Sequence, residues 1–129
     1  MRDDNNSYYR DPEFLNSLHR WEVIEKEGWV GYMDAEELAD VADYYYINHK
    51  RIHGDRLVDY ALQLHPTSAL ILVFMARRRL LQHRFDEAAE LLDKADEQDY
   101  IELIYLRAEL LANAGKHKEA DALLQDHVP

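Results

Sequence analysis

The phrase DEAAELL at residues 86–92 returns as KEADALL at 118–124, so that Glu87, Ala88, Leu91 and Leu92 are matched by Glu119, Ala120, Leu123 and Leu124. A repeat on this scale constrains the fold more than any composition does. Each copy must be one small structural unit, and successive copies must pack in the same way. Small residues carry the series further back. Gly54, Ala88 and Ala120 are spaced by 34 and then 32 residues, and so are Ala42, Ala76 and Ala108, each 12 residues ahead of its partner. Two small residues per unit, kept in step through three units, mark places where two backbones come close.

Each small residue sits in a helical pattern of apolar side chains. Leu38, Val41, Ala42 and Tyr45 follow the i, i+3, i+4, i+7 rule, and Leu57, Val58 and Ala61 continue the stripe on the next segment. Leu72, Met75, Ala76 and Leu80 form the following face, then Phe85, Ala88, Leu92 and Ala95. Ile104, Ala108 and Leu111, and finally Ala120, Leu123 and Leu124, complete the series. Four Gly and three Pro leave little material for a loop-rich or β design. The expectation is all-α, two short helices per unit. The punctuation agrees: Asp34 with Glu37 and Asp99 with Glu102 have capping-box spacing, Pro66-Thr67-Ser68 separates two units, and Gly115 closes a helix. Ahead of the repeats, Asp11-Pro12-Glu13 opens a helix over 12–27 whose apolar stripe is Phe14, Leu18 and Trp21, and Gly28 stops it.

These residues resemble the tetratricopeptide repeat (TPR). Leu38, Val41, Ala42, Tyr45, Gly54, Val58 and Pro66 fill the pattern in the first unit, and Leu72, Met75, Ala76, Ala88 and Leu92 in the second. The chain departs from the pattern at Arg79, where an aromatic is usual, at Tyr100, where Pro is frequent, and at Arg107, an apolar place. The resemblance implies an α-solenoid of about three helix pairs at 35–68, 69–100 and 101–129, one structural domain over 35–129, preceded by a tail and capping helix in 1–34. The opening, with GYMDAEELADVADYYY, is similar to the start of long TPR chains of gut-type bacteria, which implies the N-terminal part of a longer array.

Charge and composition narrow the function classes. The formal net charge is −11 and it is spread along the chain, a surface that repels nucleic acid and anionic lipid and suits a basic peptide or protein. No cysteine is present, which removes disulfides and thiolate chemistry. No apolar run is long enough for a membrane span, and MRDDNNSYYR has no secretory character, so a cytoplasmic location is expected.

No motif of catalysis or cofactor binding is found, and neither a cofactor nor a bound metal is expected. His49 and His53 stand at metal-ligand spacing, but they fall in a turn without a third ligand nearby; a metal-dependent enzyme is the remote alternative. Acids such as those of DEAAELLDKADEQD read as solvated helix faces. Tyr44, Tyr45 and Tyr46 point about 100° apart on a helix, so they build no single cage. Arg77, Arg78 and Arg79 fan out likewise. Arg77 reads either as part of an ion-pair ladder with Asp43 and Glu109 or as an anchor for a partner's carboxylate.

The resemblance implies a non-enzymatic scaffold in which the first helix of each pair lines a concave groove for a peptide or protein. The side chains it places there are Glu36, Ala39, Asp43, Tyr46, Val73, Arg77, Leu80, Tyr105, Glu109 and Asn113. Because Ala39 and Asp43 stand at the first-unit places of the chaperone-binding carboxylate clamp, that ligand is not implied. A structural segment of a longer array, or a self-associating module, is the alternative. Leu110, Leu123 and Val128 form the expected apolar edge through which residues 101–129 would join two copies in a homodimer.

Overall fold

The structure, a computed structural model, describes residues 11–127. Among them are seven α-helices and no strand: α1 Pro12–Lys26, α2 Ala35–Ile47, α3 Arg51–Leu64, α4 Ala69–Leu81, α5 Phe85–Asp93, α6 Ile101–Asn113 and α7 His117–His127. The chain divides into two compact units between His65 and Pro66, close to the expected end of the first repeat at residue 68.

Three helix starts follow from their caps. The Asp11 carboxylate accepts the Glu13 N–H at 2.8 Å and Pro12 occupies the first turn of α1. Asp34 and Glu37 form the reciprocal box that opens α2, and Ser68 caps α4. The Asp99–Glu102 box does not form. α6 starts at Ile101 with Tyr100 at its N-cap, because Gln98 turns back to donate to the carbonyls of Leu92 and Ala95 and so sets where the connection ends.

Three turns are built alike. His49, His83 and Gly115 take φ of 60°, 60° and 80°, the left-handed region. The next N–H in each case, of Lys50, Arg84 and Lys116, returns to the carbonyl of Tyr45, Arg79 and Leu111 at 2.8, 2.8 and 2.9 Å. Each is a Schellman cap, where glycine is the residue of least strain. A side chain in this region costs about 1–2 kcal/mol, while the extra freedom of unfolded glycine gives back about 0.5–1 kcal/mol. His83→Gly is therefore expected to stabilise the chain by up to about 1 kcal/mol, seen as a higher urea midpoint; a lower midpoint would show the imidazole holding its turn.

In the first unit α1 packs on α2 and α2 on α3. Phe14, Trp21 and Ile24 of α1, Leu38, Val41, Ala42 and Tyr45 of α2, and Leu57, Val58, Tyr60 and Ala61 of α3 are buried, and the rings of Phe14 and Trp21 lie 5.4 and 5.2 Å from those of Tyr44 and Tyr60. The connection from α1 to α2 is pinned from both sides, by α1 and by the end of α3: Arg20 donates to the Tyr32 carbonyl at 3.0 Å, Tyr60 donates to that of Gly31 at 2.7 Å, and Nε2 of His65, the C-cap of α3, lies 2.8 Å from that of Met33. A Cβ at Gly54 would stand 2.7 Å from the Tyr46 ring, so the close approach marked by the small-residue series is real at this position.

In the second unit α4 packs on α5 and α6, and α6 packs also on α5 and α7. Leu72, Ala76, Ala88, Leu92, Leu103, Ile104, Leu106, Ala108 and Ala120 are buried. Two departures from the TPR pattern have local explanations. Arg79 lies 3.5 Å from Glu87 of α5, a carboxylate it shares with Arg84. Arg107 donates to Asp93 and to Gln98, each at 2.8 Å, tying α6 to the end of α5 and the connection after it.

Candidate interaction surface

Side chains of α2 come first. Glu36 and Asp43 are exposed and Ala39 is half-buried. Partial burial, and then the neighbouring Asp40 carboxylate, raise the Asp43 carboxyl above its usual range. Tyr46 is half-buried: its ring lies over Gly54 and its hydroxyl donates to Asp55 at 2.6 Å, so it is engaged with α3 of its own pair. Tyr45 is a core residue, and burial followed by the carboxylates of Glu22 and Glu25 pushes its phenol up to about 12.

In the second unit Val73 and Leu80 are buried and offer a partner little surface. Arg77, Glu109 and Asn113 are exposed, and Tyr105 is 48% exposed. Asn113 spends an amide N–H on the Glu109 carbonyl at 3.1 Å. No ion pair joins Arg77 to Glu109, so that rung of the ladder is absent, and Arg77 has no hydrogen bond or ion pair among the described residues. Arg77 and Tyr105 are thus the side chains of this unit with most to offer a ligand: a guanidinium that spends no donor on another described residue and an amphipathic ring.

A cleft of about 340 Å³ lies between α1 and α2, lined by Asp11, Glu13, Phe14, Asn16, Ser17, Glu36, Glu37 and Asp40. Glu37 is its most engaged carboxylate, accepting from Arg20 at 2.7 Å and from Ser17 at 3.0 Å. The sequence reading missed this cleft. Its signal was available in the acids at 36, 37 and 40, but only the docking of α1 turns that solvated stripe into a wall.

Among the described residues no group of three or more His, Asp or Glu side chains could hold a metal ion. His53 stacks on Tyr45 at 5.4 Å between ring centres, while His49 stands in the turn. Among the described residues no helix is long and apolar enough to cross a membrane. Of the apolar edge, Leu110 and Leu123 are half-buried and Val128 lies outside the described residues. Compared with models of protein families, with curated proteins and with solved structures, the chain matches none.

Proposed function

We propose that the chain is a non-enzymatic protein-interaction scaffold, an α-solenoid of about three tetratricopeptide-like helix pairs that presents the inner faces of α2, α4 and α6 to a peptide or protein in the cytoplasm. The observation that carries this reading is the recurrence of one hairpin: Schellman turns at 49, 83 and 115, and a buried small residue at 54, 88 and 120. Such units bury their apolar faces by stacking, and stacked pairs leave an extended surface suited to binding. The step from fold to binding rests on analogy. Arg77→Glu is expected to weaken partner capture about tenfold or more, the usual loss when an interface arginine is reversed, while Arg56→Glu on α3 leaves it unchanged. Equal effects in quantitative pull-downs would contradict the groove.

Self-association is a second reading with its own observation. Leu92 of α5 is fully buried, whereas its repeat equivalent Leu124 of α7 is only half-buried. The same motif position is thus closed in one pair and open in the next. If two copies meet there, sedimentation will show a concentration-dependent dimer and Leu123→Glu will abolish it; a strict monomer rejects this reading.

A further inference from the structure

We draw no further inference here: the strongest candidate, the acidic cleft between α1 and α2 lined by Glu13, Glu36, Glu37 and Asp40, rests on its cluster of carboxylates alone, and nothing else in the structure shows what would occupy it.

Discussion

Trp21→Ala is expected to destabilise the chain by about 3–5 kcal/mol, the loss typical of a large aromatic removed from a closed core. Trp21 is 0% exposed and its ring lies 5.2 Å from that of Tyr60, so α1 is tied across the first unit to α3. A change of that size is a large fraction of the roughly 5–15 kcal/mol that holds most domains folded. Trp21→Phe should cost clearly less, because it keeps an aromatic ring and much of the volume in the core. Urea denaturation followed by circular dichroism measures both. Both tryptophans, Trp21 and Trp29, lie in the first unit, so fluorescence reports that unit alone in the wild type. A loss below about 1 kcal/mol for Trp21→Ala would be far under the range for a core aromatic and would mean that α1 is not docked in solution.

Ala88→Leu should cost about 1–3 kcal/mol through overpacking. Ala88 is fully buried in α5, which packs on both α4 and α6, so a larger side chain has no free direction. Ala89, one step around the helix, is half-buried and has room on its outer side. Alanine and leucine differ little in helix propensity, so a difference between Ala88→Leu and Ala89→Leu isolates packing. Equal melting temperatures for the two variants would contradict the helix pairing at this position.

Those two residues also show how much of the molecule was legible. The small-residue series located the helix pairs because sterics at a close backbone approach tolerate few side chains, and Gly54 and Ala88 lie where it placed them. Turn geometry was partly legible: Gly28 and Gly115 announce left-handed turns, whereas His49 and His83 do not, since nothing in a histidine forecasts that conformation. The Asp99–Glu102 spacing misled because Gln98 sets where the connection ends, and glutamine in a loop carries no such signal. Of the groove residues, the burial of Val73 and Leu80 depends on tertiary packing, which a helical wheel does not contain. The pinning of residues 31–33 by Arg20 of α1 and by Tyr60 and His65 at the end of α3 likewise joins residues far apart in sequence and has no local pattern.

The proposed groove requires successive pairs to stack, because only then would α2, α4 and α6 share one surface. The chain contains no cysteine, so spin labels can be placed without background at Asp43→Cys in α2 and Glu109→Cys in α6. Packed helices are about 8–10 Å apart, so two steps along the proposed stack would put these backbones about 20 Å apart. Double electron–electron resonance on that pair is the direct measurement. A narrow distribution near that separation, retained on dilution, is the predicted result; a broad one, or a single distance well beyond it, would contradict the stacked array.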